Sequence, residues 1–280
     1  MLFGVSRQVC KLGTLRYGAY SQCFRFASSK GETEREIAEE KEEKGRDRGG
    51  DGEHWLNRRF PNAEEWLLKQ SEEWWHKGLS ALCKDHHSLA LYHSEILEGV
   101  SSEYAQLYEK QKHRISDSRS RTHLQQALLA LATYRNVLPW LQFDRDQAKQ
   151  LVEKLQGKES QTVLNPLQRM AFWLSTNKFG MLANRLKLLK MDYGDAFDID
   201  YSELQEEGEK EKESKLRMRS CFYHRLFTEE GAPELTQSCC CSVDMIWFQG
   251  IEEKARGVTF HRASSIAEGD SMCELIVRKE

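Results

Sequence analysis

The sequence predicts an α+β protein, a helical part followed by a small antiparallel sheet covered by helices. Three observations lead there. Apolar residues recur at threes and fours through residues 54–213. Two-residue alternation takes over after Ser214, in Leu216-Arg217-Met218-Arg219, and returns over residues 257–263 and 272–277. Turn signals stand between these runs, at Gly231 with Pro233 and at Glu268-Gly269-Asp270-Ser271.

Composition narrows the function. The chain has 280 residues, 41 basic and 44 acidic, with a net charge of −3. That is ample for a buried core and gives no electrostatic footprint for nucleic acid. No stretch approaches the ~20 consecutive apolar residues of a membrane span. Eight cysteines in a chain of this length do not make a disulfide mini-scaffold.

Residues 1–30 lack Asp and Glu and mix Arg7, Lys11, Arg16, Arg25 and Lys30 with serines and aromatics. No apolar run suits a secretory signal, so the segment reads as an organellar transit peptide, mitochondrial with plastid as the alternative. Phe24-Arg25-Phe26-Ala27-Ser28-Ser29 suits a processing site, which would remove Cys10 and Cys23. Residues 31–53 are dense in Glu, Lys, Arg and Gly and read as a charged, disordered linker. The fold is expected to begin near His54.

Residues 54–213 form the helical region. Asn62-Ala63-Glu64-Glu65 marks a helix start, with acids in the first turn to meet the dipole. Trp66, Leu67, Trp74, Leu79 and Leu82 fall on one stripe. The aromatic group Trp66, Trp74 and Trp75 also suits a contact with a protein partner. His86, His87 and His93 lack a metal-finger pattern and read as a polar face or turn. His123, Leu124, Ala127, Leu128, Leu131 and Leu138 repeat at helical spacing, and Pro139 ends that run. Asp144 with Gln147 resembles a capping pair for a helix that buries Ala148, Leu151, Val152 and Leu155, and Gly157 follows as a stop. A further helix is expected from Pro166, with Met170, Phe172, Trp173 and Leu174 in the core and a break near Gly180. Residues 193–213 are acidic and read as an exposed connection.

Residues 214–280 form a cysteine-containing α+β module. Five of the eight cysteines lie between Cys221 and Cys273. Cys221 stands where a strand turns into a helix over residues 221–230, a place where amide donors and the helix dipole favour an anion. Cys241 precedes Asp244 by three residues, and Cys273 sits on the final strand. These thiols suit nucleophilic catalysis with Asp244 as base or orienter, or the coordination of a soft metal, or simple burial. Cofactor identity stays open, a divalent metal or iron on Cys221, Cys241 and Cys273 being the candidate. His224, one turn beyond Cys221, is a candidate proton shuttle. The run Cys239-Cys240-Cys241 leaves Cys240 as an alternative to Cys241.

At these residues the chain resembles the L-2-amino-thiazoline-4-carboxylic acid hydrolase family. The pattern is Cys221 with Tyr223, then Glu229-Glu230-Gly231-Ala232-Pro233-Glu234-Leu235, Cys241-Ser242-Val243-Asp244, Gly257-Val258-Thr259-Phe260-His261-Arg262, and Ala267-Glu268-Gly269-Asp270-Ser271-Met272-Cys273-Glu274. Upstream, His123-Leu124 and Ala132-Thr133-Tyr134-Arg135-Asn136-Val137-Leu138-Pro139 are also similar to the family's helical half, so the resemblance runs from Arg121 to the end. It implies a hydrolase that opens the ring of a small cyclic amidine at a carbon–nitrogen bond. Catalysis would fall to Cys221, Cys241, Asp244 and Cys273, and Arg262 would bind a substrate carboxylate. The C-terminal region is also similar to the terminal module of iron-dependent carotenoid isomerases. The readings that compete with an enzyme are a metal- or cofactor-binding protein and a non-catalytic mitochondrial partner subunit.

Overall fold

The computed structural model describes residues 63–156, 172, 174–205, 212–242 and 257–279. The chain divides into two compact units, Met1–Ser71 and Glu72–Glu280. Of the first unit, residues 63–71 are described. The expected transit peptide and charged linker lie outside the described residues, as does Gly157.

Helix α1 spans Ala63–Asp85. Its buried stripe is Trp75, Leu79 and Cys83, spaced by four, and the Trp75 indole N–H donates to Thr133 Oγ1 at 2.9 Å. This differs from the expected stripe: Trp66 is 54% exposed and Trp74 half-buried. Adjacent tryptophans fall about 100° apart on a helix, so a partnered indole N–H decides which of the pair turns inward. Helix α2 (His93–Gln111) buries Ile96, Val100 and Leu107. Helix α3 (Ser118–Val137) is the central element, with most of its second half buried. Asp117 accepts from the Ser120 amide while Ser120 Oγ accepts from the Asp117 amide, a reciprocal capping box. Pro139 then turns the chain through a short 3-10 segment, Leu138–Leu141, as its missing N–H requires. Helix α4 (Arg145–Leu155) opens on the Asp144–Gln147 pair read from the sequence: Asp144 Oδ1 accepts from the amides of Asp146 and Gln147.

Of the expected core run, Phe172 is buried and Leu174 is 63% exposed, while Met170 and Trp173 lie outside the described residues. Helix α5 (Lys178–Tyr193) starts where a break was expected. Asn177 accepts from the Gly180 amide at 2.9 Å, so Gly180 belongs to a capped first turn rather than to an interruption.

The sheet has four strands: β1 (Asp198–Gln205), β2 (Lys212–Ser220), β3 (Val258–Ser264) and β4 (Cys273–Lys279). They pair antiparallel in the order β1-β2-β4-β3. The fold is thus the α+β class expected, with one strand more. Strand β1 occupies the stretch read as an exposed connection. As an edge strand it alternates the inward Ile199 and Tyr201 with Asp198, Asp200 and Ser202, and those acids hid the alternation. Helix α6 (Phe222–Glu229) follows β2 directly and buries Phe222, Tyr223, Leu226 and Phe227. It ends in a Schellman turn: the Ala232 amide donates to Phe227 O at 2.8 Å, the Gly231 amide donates to Thr228 O at 3.1 Å, and Gly231 takes a φ of +73°.

Candidate functional site

The cavity arises from strand register. On β2, Ser214, Leu216 and Met218 alternate inward. Leu216 pairs with Leu275 and Met218 with Cys273 on β4, and Leu275 pairs on its other side with Arg262 of β3. A register shift between Arg262 and Ser264 bends β3 at that point. One face of the sheet therefore carries Met218, Cys273, Leu275 and Arg262 side by side. With Leu216, Cys221, Thr236, Cys240, Cys241, Ile266 and Ala267 they line a small, partly open cavity. It leaves about 10 Å³ for the centre of a water molecule, room for one water.

Each thiol arrives by a different route. Cys221 is the N-cap residue of α6, in extended conformation (φ −99°, ψ 122°), and its side chain makes no capping bond. Cys240 and Cys241 stand on a single π-helical turn, Gln237–Cys241. Cys221 Sγ and Cys240 Sγ are 3.9 Å apart. Cys241 Sγ lies 3.9 Å from Ser265 Oγ, and its carbonyl accepts from Arg262 Nη2 at 3.2 Å. Cys273 Sγ accepts from the Ile266 amide at 3.2 Å. That amide is aimed by a closed turn, in which the Ser265 amide donates to Asp270 Oδ2 at 2.8 Å and the Asp270 amide donates back to Ser265 O at 3.1 Å. Burial pushes the Cys273 thiol up to about 11, against the Ile266 amide and Arg262, which favour the anion. Cys273 is therefore a neutral thiol at pH 7. Cys239 is not among the cavity's lining residues, and burial raises the pKa of its thiol. Thr236 Oγ1 meets His224 Nδ1 at 3.5 Å, so a wall of the cavity connects to a half-buried imidazole.

Four sequence-predicted residues, Cys221, Cys241, Cys273 and Arg262, share this cavity, and Asp244 lies outside the described residues. Cys240, read as an alternative to Cys241, lines it as well. Sequence reasoning missed Thr236 and the Ser265–Ile266 turn. Asp270, inside the quoted Gly-Asp motif, was the available signal, since an Asx side chain closes turns on nearby amides. No three His, Cys, Asp or Glu side chains among the described residues are grouped to hold a metal ion. No described helix is long and apolar enough to cross a membrane.

The far end of α6 is fixed by charge. The Glu230 carboxylate is nearly inaccessible; its Oε1 accepts from Lys110 Nζ at 2.8 Å and Gln111 Nε2 at 2.6 Å, and Oε2 from Arg135 at 3.2 Å. Burial opposes its ionisation, yet these donors and cations outweigh burial and hold it below the usual glutamate range. Arg114 pairs with Glu229, and Tyr134 O–H donates to Glu234 Oε1 at 2.7 Å. In the first turn of the helix, the Tyr223 hydroxyl lies 3.0 Å from His123 Nδ1 and donates to Gln126 Oε1 at 3.1 Å.

A helical layer on a small antiparallel sheet, with thiols and one guanidinium meeting in a cavity at their junction, defines a class of small α+β proteins built around a sulfur-lined site. The chain belongs to the L-2-amino-thiazoline-4-carboxylic acid hydrolase family, whose sequence pattern matches residues 105–277. The match spans every residue of the cavity and the whole Glu230 loop, and it supports a hydrolase-like function. No curated protein and no solved structure matches the chain.

Proposed function

We propose that the protein hydrolyses a small cyclic amidine carrying a carboxylate, of the 2-amino-thiazoline type, at the ring carbon–nitrogen bond. The supporting observation is the convergence of Cys221, Cys241, Cys273 and the Arg262 guanidinium on one cavity with room for a single water. Arg262 meets the substrate carboxylate, because its planar fork matches two oxygens. Cys221 Sγ adds to the amidine carbon, forming a carbon–sulfur bond. The ring carbon–nitrogen bond breaks and the nitrogen leaves with a proton. Water then attacks the same carbon and releases the Cys221 thiol, so one water is consumed per turnover. His224, reaching the cavity wall through Thr236 at 3.5 Å, supplies the departing nitrogen's proton. Cys273, held neutral by burial, and Cys241 complete the wall. A ring is larger than this cavity, so binding requires side chains to move, and unbranched Met218 is the wall most easily displaced. The basic, acid-free start of the chain supports a mitochondrial site for this activity, with a plastid as the alternative.

The test is an assay of the full chain with L-2-amino-thiazoline-4-carboxylate, following S-carbamoyl-cysteine by mass spectrometry, with metal content measured on the same sample. Turnover is expected, and Cys221→Ser should abolish it in a protein that still folds. Full turnover in Cys221→Ser would refute the nucleophile. A bound metal whose removal abolishes turnover would move the reading to metal-assisted hydrolysis.

A further inference from the structure

We propose that Cys221 and Cys240 form a reversible disulfide, so that the cavity is a site of oxidative modification. The functional part of this inference, silencing of turnover, rests on the reading of Cys221 as nucleophile; the bond itself rests on geometry alone.

The run Cys239-Cys240-Cys241 is one turn of π-helix, and such turns send successive side chains in widely separated directions. Cys241 faces Ser265 on the β3–β4 turn and Cys240 faces Cys221, while Cys239 is not among the cavity's lining residues. Cys240 is thus set against another thiol. The Cys221 and Cys240 sulfurs stand 3.9 Å apart. A disulfide requires about 2.05 Å, so the pair must close by roughly 2 Å. The cavity offers space for that movement, and the π-turn carrying Cys240 is a less regular element than an α-helix. Cys273 is a poor competitor: its sulfur already accepts from the Ile266 amide, and it stays protonated at pH 7.

The oxidant is hydrogen peroxide, little larger than the single water for which the cavity has room. One thiolate of the pair attacks the peroxide oxygen and becomes a sulfenic acid, with water leaving after protonation. The other thiol attacks that sulfur, forms the sulfur–sulfur bond and expels a second water. Two thiols and one hydrogen peroxide thus give one disulfide and two waters. Any thiol reductant reverses the bond. With Cys221 in the disulfide, no nucleophile faces the substrate carbon. The same bond guards Cys221 against further oxidation, which thiols cannot reverse.

The experiment uses the reduced full chain treated with hydrogen peroxide, alkylated, digested without reductant and mapped by mass spectrometry. The expected product is a Cys221–Cys240 linked peptide that dithiothreitol removes. Cys240→Ser should abolish that linked peptide, whereas in Cys241→Ser it should persist. A link from Cys221 to Cys241 or Cys273 instead, or oxidation of Cys221 to sulfinic acid with Cys240 still reduced, would overturn the proposal. Mapping the unsubstituted chain decides this even if a variant fails to fold. Turnover is measured in parallel. Loss on oxidation and return on reduction is expected, and an oxidised, fully linked chain that still turns over would overturn the silencing. A reduced chain with no turnover would refute the hydrolase reading and leave the disulfide assignment to the map.

Discussion

The two ends of α6 are built from opposite materials. The N-terminal end, at Cys221, meets sulfur, methyl groups and a cavity, and its cap position has no side-chain bond. The C-terminal end, from Glu229 to Glu234, meets Arg114, Lys110, Gln111, Arg135 and Tyr134 through carboxylates. Charge is expensive to bury unless it is paired and hydrogen-bonded, so the second end tolerates little displacement. Soft, polarisable groups with few directional bonds tolerate more. The charged end therefore fixes the helix, and the fixed helix holds Cys221 at a cavity whose other walls can yield. Chemistry is placed where the restraints are weakest and is aimed from where they are strongest.

Substitutions at the two ends should separate function from stability. The largest effect is expected at the thiol end. Cys221→Ser should lower turnover by a factor on the order of 10⁴ or more, as loss of a nucleophile does. Its unfolding midpoint should shift by only a few degrees, since oxygen replaces sulfur at nearly the same volume. Kinetics and thermal unfolding on one preparation check both. A large stability loss with residual turnover would invert the comparison.

At the other end the order reverses. Glu230→Ala removes the buried acceptor of Lys110, Gln111 and Arg135, whose own charges reach solvent, and should cost about 2 kcal/mol. For a unit of this size that corresponds to a midpoint lowered by roughly 4–8 °C. Glu230→Gln retains an acceptor for Lys110 and Arg135 and should lose less. Because the folded-state pKa of Glu230 is lowered, its contribution is present at neutral pH and is lost as the pH falls below the ordinary glutamate value of about 4.3. Denaturant titrations at pH 7 and pH 4 resolve the difference.

The sequence disclosed the charged end and the outline of the thiol end unequally. Gly231 and Pro233 announced the Schellman turn, because few residues other than glycine accept its backbone. Asp144 announced α4, and the three-and-four spacing announced α3. What stayed hidden depends on choices between equivalent neighbours. Trp75 rather than its neighbour Trp74 is buried because a hydroxyl on α3, Thr133, receives its N–H, and no local pattern encodes a partner 58 residues away. Strand β1 was concealed by acids that suit an edge strand facing water. Cys221, Cys241 and Cys273 could be named from the clustering of cysteines and from the place of Cys221 where a strand turns into a helix, and Arg262 from the family resemblance. Thr236 and the Ile266 amide could not, because a wall residue and a backbone donor acquire meaning only when the chain has closed around them.

His123 packs against Tyr223 in the first turn of α6. Its Nε2 is 3.3 Å from the Asp192 carbonyl, which can only accept, so that nitrogen carries a proton. Burial lowers its pKa to about 4 from 6.5. The unfolded chain therefore binds a proton that the folded chain refuses, and stability is full above about pH 6.5 and falls as the pH drops toward 4. From pH 7 to pH 5 the expected loss is about 2 kcal/mol, and His123→Gln should remove that slope. The window lies above that of Glu230, so the two contributions separate in one pH series.

The smallest effects should come from two glycines, and they sharpen the comparison most directly. Gly231 closes the charged end of α6 at φ +73°, and Gly269 closes the β3–β4 turn at φ +99°. A Cβ at either position meets nothing within 4 Å, so an alanine clashes with no neighbour and adds only backbone strain. That strain is about 1–2 kcal/mol, partly offset by the lower entropy of the unfolded chain, which leaves a net cost of about 1 kcal/mol at each site. Their effects on turnover should differ. The Gly269 amide donates to Ile266 O within the turn whose Ile266 amide holds Cys273, so Gly269→Ala disturbs the cavity wall. Gly231→Ala disturbs a loop still gripped by Lys110, Gln111 and Arg135 and should leave kcat nearly unchanged. Equal stability losses with kcat lowered only in Gly269→Ala would establish that the charged end acts as an anchor. A comparable fall in kcat for Gly231→Ala would mean that strain at the anchored end reaches Cys221 through the helix, and that the two ends work as one device.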